Sequence, residues 1–375
     1  MLVRTSLIFP LAAAINFFSV TALLIISGLL GKQNLAAELG VVQGAIIAVF
    51  LSLSGNARNL ILANSSDNDE KNLFCLRLLL MFPAVITVFY LATDIVEISI
   101  YLIGALILRK CSEWIAELQL ANREKYNDIL FAEKYVQINT IGFLFLVLML
   151  TFSWMGIFYF TLYVWAILPI AFSWPYIRWI LEVKEFKLSF TRFIPHIGSS
   201  SVIGITTYIF RVLIVILAGK ALSGQLFTAY ALGGVVSALY TYSLGPTLLV
   251  RGENTNAPIL LFTLINLLIG GGVCLAALFL DVEFDSSLFV YAIGFSLMGG
   301  GIMLLAQRKR LYILQVARKD VFVPDALINI LITISIPFAY YVVGQASFTV
   351  FFLWSAILNL VVYSSLSFNR GIGYT

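Results

Sequence analysis

The sequence predicts an all-α integral membrane protein: about twelve transmembrane helices in two pseudo-symmetric, parallel six-helix bundles around a central cavity. Three observations predict it: a composition too apolar for water, a succession of apolar runs of spanning length, and a one-sided distribution of Lys and Arg. Of the 375 residues, 61% are hydrophobic and 11% charged, where a soluble domain is nearer half and a quarter. Lipid is therefore the solvent for most of the surface. The net charge of +4 matters only through where the charges sit, and it points to no nucleic-acid partner.

A span needs about 20 mostly apolar residues. Such runs cover 6–30, 39–62, 73–93, 95–117, 135–153, 157–181, 193–218, 225–250, 258–280, 287–306, 322–342 and 347–367. They are continuous rather than alternating, which excludes a strand-built barrel. The first run continues from Leu7 to Leu30, too long for a signal-peptide core and without a clear cleavage site, so it reads as a retained helix.

Orientation follows from the basic residues. With the N-terminus cytoplasmic, twenty of the twenty-three lie on the cytoplasmic side, among them Arg58, Arg77, Arg109, Arg123, Lys184 and Arg251. Only Lys32 and Lys220 lie outside, and Arg211 lies within a span. One miscounted helix would scramble that split, so it supports twelve spans as well as the orientation. Both termini are then cytoplasmic. The outer loops are short and leave no room for a catalytic domain.

The halves repeat weakly. Phe9-Pro10 and Gly31-Lys32 bracket span 1, as Ile194-Pro195 and Gly219-Lys220 bracket span 7. The following spans close at Gly55 and Gly245. Later, Arg109-Lys110 precedes Leu118-Gln119-Leu120-Ala121 and Arg123, as Arg308-Lys309 precedes Leu314-Gln315-Val316-Ala317 and Arg318. An even number of spans per half makes the repeats parallel, related by an axis along the membrane normal. This divides the chain into a bundle over 1–181, a cytoplasmic linker over 182–192, and a second bundle over 193–375.

Arg211 is the residue most at odds with lipid, where an isolated arginine costs at least about 2–3 kcal/mol. At about 100° per residue, His196, Ser200, Gly204, Thr207 and Tyr208 share its face, while Val202, Ile205, Ile209, Val212 and Ile216 oppose it. The stripe reads as the lining of a hydrated cavity. The alternatives are that Arg211 snorkels or pairs with Glu97 or Glu38, and that the small residues are a packing face. In span 1, Thr5, Asn16, Ser19 and Ser27 form a weaker stripe, with Asn16 facing either the cavity or a neighbouring helix. Tyr208, Tyr230, Tyr240 and Tyr242 could stack on sugar faces or serve as core and belt aromatics. Arg58 and Arg251, at the cytoplasmic ends of spans 2 and 8, read either as the entrance to the same positive field or as headgroup anchors.

Acids are scarce in the apolar cores, with Glu113, Glu117 and Asp325 near cytoplasmic helix ends. A cavity with arginine and almost no carboxylate suits an anion, and the bidentate fork of arginine makes a diphosphate the natural ligand. Cys75, Cys111 and Cys274 have no metal-ligand spacing, His196 is the only histidine, and no P-loop, HExxH or CxxC occurs. The chain therefore reads as a non-enzyme without cofactor, beyond a coupling proton or sodium ion that the residues do not distinguish. Gly299-Gly300-Gly301 and Gly270-Gly271-Gly272 read as points of close helix approach or bending.

The segments Ser52-Leu53-Ser54-Gly55-Asn56-Ala57-Arg58 and Leu118-Gln119-Leu120-Ala121-Asn122-Arg123, with the twelve-span topology and the basic loop after span 4, resemble Wzx-type O-antigen flippases of the multidrug/oligosaccharidyl-lipid/polysaccharide exporter superfamily. The resemblance implies alternating access in the bacterial cytoplasmic (inner) membrane. It implies as substrate an undecaprenyl-diphosphate-linked oligosaccharide for O-antigen or other surface polysaccharide, and as partners membrane lipids, the polysaccharide polymerase and the chain-length machinery. Two rival functions remain. A drug or ion antiporter of the same superfamily would normally carry a carboxylate in span 1, where there is none. A membrane glycan polymerase or ligase would need a substantial outer loop.

The charge split generates a topological prediction. Cysteine-accessibility labelling should place positions 65–70 and 184–190 in the cytoplasm and 283–286 outside. Labelling of 184–190 from the outer face would overturn the twelve-span arrangement.

Overall fold

A computed structural model describes residues 2–53, 57–62, 67–93, 97–152, 155–182, 194–241, 256–279, 284–315 and 321–368. Among these residues the regular structure is entirely helical. The order is α1 (Leu2–Leu29), α2 (Gln33–Ile46), α3 (Ala57–Leu62), α4 (Asp67–Thr93), α5 (Ile100–Lys125), α6 (Ile129–Thr151), α7 (Met155–Glu182), α8 (Ile194–Ala218), α9 (Lys220–Leu239), α10 (Asn256–Phe279), α11 (Phe284–Gln315), α12 (Phe322–Val343) and α13 (Ser347–Phe368). A π-helical turn, Ile47–Leu51, extends α2, and a 3₁₀ turn, Gly344–Ala346, joins α12 to α13.

Every predicted span has its helix. Among the described residues, ten segments are long and apolar enough to cross a membrane, one of them, Phe322–Leu366, containing both α12 and α13. Separating those two and adding α5 makes twelve. The exception has a physical reason. α5 carries Arg109, Lys110, Glu113 and Glu117 in its middle, too many charges for lipid, yet 17 of its 26 residues are buried. Protein rather than lipid solvates it, and at 1.5 Å per residue it is about 39 Å long, enough to cross.

The chain forms two compact units, Met1–Ile26 with Val41–Tyr208, and Ser27–Gly40 with Ile209–Thr375. In the first, α5 is the hub, packed by α3, α4, α6 and α7. One apolar cluster joins Ile61, Phe74, Leu118, Tyr176 and Ile180, and another joins Phe9, Ala12, Ala116, Ala132 and Tyr135. The Gly204 Cα of α8 seats directly on the π turn, where an added Cβ would lie 2.9 Å from the Ile47 carbonyl oxygen.

In the second unit α11 is the hub, packed by α9, α10 and α13. Its three consecutive glycines serve three different neighbours. A Cβ at Gly299 would press on Leu353 of α13, one at Gly300 would overlap the Gly233 carbonyl of α9, and one at Gly301 would press on Thr263 of α10. Successive residues lie about 100° apart around a helix, so the run strips side chains from nearly the whole circumference at one level. Three helices can then approach α11 backbone to backbone.

The turns echo the sequence repeat. Gly31 after α1 has φ 74° and Gly219 after α8 has φ 80°, a left-handed conformation that glycine adopts without a Cβ clash. The two Gly-Lys pairs therefore share backbone hand as well as sequence.

Overpacking a tight core costs about 1–3 kcal/mol. Gly300→Ala should lower the melting temperature of detergent-solubilised protein, whereas Gly271→Ala, which meets nothing within 4 Å, should leave it unchanged or raise it. Equal effects would remove the close approach as the role of the run.

Candidate functional site

On α8 the exposed face carries Ile205, Ile209 and Ile216, at 50%, 38% and 64%, but Val212, expected on that face, is buried, as is Tyr208. On the polar side, Thr207 Oγ1 donates back to the Ile203 carbonyl at 2.7 Å, and the Tyr208 hydroxyl donates to the Leu91 carbonyl at 2.7 Å. Ser200 is half-buried on the same face. In the second unit, Arg211 Nη1 donates to the Gly40 carbonyl of α2, and its guanidinium lies 5.8 Å from the centre of the Phe227 ring. Glu38 is bound by Lys220 at 2.5 Å, and Glu97 is exposed. The His196 side chain, Arg251 and Tyr242 lie outside the described residues. Tyr230 and Tyr240 are buried, with the Tyr230 hydroxyl donating to the Phe348 carbonyl at 2.5 Å.

Asn16 and Arg58 belong to a different system, built on α5 of the first unit. Arg109 is fully buried at its centre. Its Nε donates to Glu113 Oε1 at 2.7 Å, Nη1 to the Trp165 carbonyl at 2.9 Å and to Asn139 Oδ1 at 3.3 Å, and Nη2 to Ser19 Oγ at 3.2 Å. The guanidinium also lies 4.0 Å from the centre of the Trp165 ring. Ser19 in turn donates to Glu113 Oε1 at 3.0 Å. Asn16 donates to the Glu113 carbonyl at 3.1 Å and accepts from the Tyr135 hydroxyl at 2.5 Å. One arginine thus ties α1, α5, α6 and α7 to a single point.

Further along α5, Glu117 receives Arg77 of α4 at 2.8 Å, Asn122 donates to the buried Glu70 of α4 at 2.9 Å, and Glu124 receives Arg58 of α3 at 2.8 Å. The second unit has a smaller counterpart in which Arg310 of α11 forks onto Asp325 of α12 at 2.6–3.2 Å while the Tyr363 hydroxyl of α13 donates to the same carboxylate. Each buried charge faces an opposite one with extra hydrogen bonds, the condition under which a buried pair is tolerated.

The charge split counts Arg77 and Arg109 among the cytoplasmic basic residues. They are 3% and 0% exposed inside the helix bundle, because acids one turn along or on the next helix neutralise them. Arg109 and Glu113, four residues apart on one helix face, were the available signal. Partners on α1, α6 and α7 had none, since periodicity marks a face and not what meets it.

No protein-family model matches the chain, and no curated protein matches its sequence. Among solved structures, the crystal structure of a MATE protein bearing one proline-to-alanine substitution is similar. It has a TM-score of 0.53 and 14% sequence identity, covering 97% of this chain and 93% of that one. The chain therefore shares a fold with that structure.

Removing one partner of a buried ion pair costs about 3–5 kcal/mol, and removing both costs far less. Arg109→Met should abolish monodisperse protein or lower its melting temperature sharply, and Arg109→Met with Glu113→Leu should recover part of the loss. A double variant as unstable as the sum of the single changes would dissolve the coupling.

Proposed function

We propose that this chain is a Wzx-type flippase, a carrier rather than an enzyme. It moves an undecaprenyl-diphosphate-linked oligosaccharide from the inner to the outer leaflet of the bacterial cytoplasmic membrane by alternating access, for O-antigen or another surface polysaccharide. The observation that carries the reading is the state of the buried acids. Among the described residues, Glu70, Glu113, Glu117 and Asp325 are buried, and each is ion-paired, with Lys125, Arg109, Arg77 and Arg310 at 3.4, 2.7, 2.8 and 2.6 Å. An organic cation taken out of water needs a carboxylate to offset its charge. These four are already committed to side chains that hold the helices together.

The polar face of α8 offers the opposite chemistry. A guanidinium among small and hydroxyl-bearing residues suits a diphosphate, which takes a bidentate fork. Arg211 is assigned to the substrate path, with Ser200, Thr207, Tyr208 and His196 along the same helix. Arg251 is assigned to the cytoplasmic entrance; Arg58 and Asn16 support the helices through Glu124 and Glu113. The partners that follow are the polymerase and chain-length machinery that consume the flipped unit. The MATE-like fold also accommodates a small-solute antiporter, and the committed acids favour the flippase.

Phosphate attraction by arginine contributes about 1.5–3 kcal/mol, or roughly ten- to a hundredfold. In a flippase-deficient strain, Arg211→Ala and Arg211→Glu should lose surface polysaccharide by at least about tenfold at matched protein levels, and Arg211→Lys should keep part of it. Full activity of Arg211→Ala removes Arg211 from the mechanism.

A further inference from the structure

The second unit contains a cavity of about 420 Å³ that the flippase reading does not use, a size within the range of small-molecule sites, about 300–1,000 Å³. Three turns build it. Gln33 comes from the α1–α2 turn, Lys220, Leu222 and Gln225 from the α8–α9 turn and the start of α9, and Gln345 from the 3₁₀ turn between α12 and α13, with Leu288 of α11 as part of its wall. The glycines with positive φ among the described residues, Gly31, Gly219 and Gly344, stand in these same three turns. The α2 and α9 turns also touch, because Gly224 lies against the Gln33 carbonyl closely enough that a Cβ would overlap it. The wall is therefore set by tight backbone geometry rather than by loose loops.

Its chemistry is specific. The polar groups are three carboxamides and one amine. The amine is ion-paired with Glu38 at 2.5 Å, so the pair contributes no net charge to the cavity. Each carboxamide offers two donors and an acceptor, the mixture that matches vicinal hydroxyl groups, which donate and accept in turn. A phosphate or a carboxylate would instead call for uncompensated cations.

We propose that this cavity binds a neutral saccharide, and that it holds the sugar end of the lipid-linked oligosaccharide at the outer face. Its location in the transport path rests on the flippase reading, whereas the binding chemistry rests only on the cavity. The loops that form it are the ones the charge split places outside. A sugar held there would be retained after the diphosphate has crossed, and its release would complete the cycle.

The test uses the full-length protein in detergent micelles, with saturation-transfer NMR. The probes are neutral hexoses and N-acetylhexosamines in one arm and glycerol phosphate, as a free anionic headgroup, in the other. Saturation transfer to at least one neutral sugar is expected, and it should weaken about three- to tenfold in apparent affinity in Gln225→Leu and Gln345→Leu. Glycerol phosphate should give no signal that these variants change. Melting temperatures equal to the unmodified protein's show that the variants fold, and Gln345→Leu, in an exposed position, is the safer of the two. No sugar signal, a sugar signal unchanged in both folded variants, or glycerol phosphate as the sole ligand overturns the proposal. Sugar binding by a chain that does not restore surface polysaccharide to a flippase-deficient strain overturns the flippase reading and leaves the saccharide site standing.

Discussion

The first unit depends on a single electrostatic requirement, that the Arg109 guanidinium be neutralised and fully hydrogen-bonded where no water reaches it. In lipid alone, α5 would carry Arg109, Lys110, Glu113 and Glu117 uncompensated, each costing about 2–3 kcal/mol at the centre of a span. The pair Arg109–Glu113 cancels the charge, but a carboxylate and a guanidinium leave donors and acceptors over. Ser19, Asn139 and the Trp165 carbonyl take them up. α5 is therefore a membrane helix only inside its bundle, and α1, α6 and α7 cannot separate from it without exposing a charge. Membrane helices gain nothing from hiding apolar surface from lipid, so such polar ties and close packing must supply what the hydrophobic effect supplies in water.

The second unit meets the same requirement chiefly by proximity. Gly233, Gly294, Gly299, Gly300 and Gly301 bring α9, α10, α11 and α13 into backbone contact, which maximises dispersion between helices. The cluster of Arg310 with Asp325 and Tyr363 holds one end of α11, α12 and α13. The turns at Gly31 and Gly219 share a positive φ, while the two interiors differ in the force that holds them.

Much of the fold was legible because bilayer thickness fixes span length. Each of the twelve runs has a helix among its described residues, and even α5, too charged by composition, was recovered from its length. The site was less legible. Spacing on α8 puts Thr207 and Tyr208 within one arc of the helix, since a helix's own geometry fixes that. It could not say that the Tyr208 hydroxyl reaches Leu91 or that Arg58 is taken by Glu124, because those partners are 117 and 66 residues away in sequence. The acids expected near helix ends proved to be structural ties, and Glu113 and Glu117 lie in the middle of α5 rather than at its end.

The π turn at Ile47–Leu51 has a consequence for how α2 is read. A π turn holds one more residue than an α turn, so beyond it the faces of the helix are displaced by about 100° relative to an unbroken α lattice. A residue count that carries the face of Gln43 into the stretch after Leu51 therefore points to the wrong side. An insertion or deletion of one residue within Ile47–Leu51 would rotate everything beyond it while leaving the first half of α2 in place. Gly204 of α8, lying against Ile47 and Ala48, seats on this phase shift. In any alignment of this chain, a one-residue gap here should be read as a change of helical phase, not as a change in loop length.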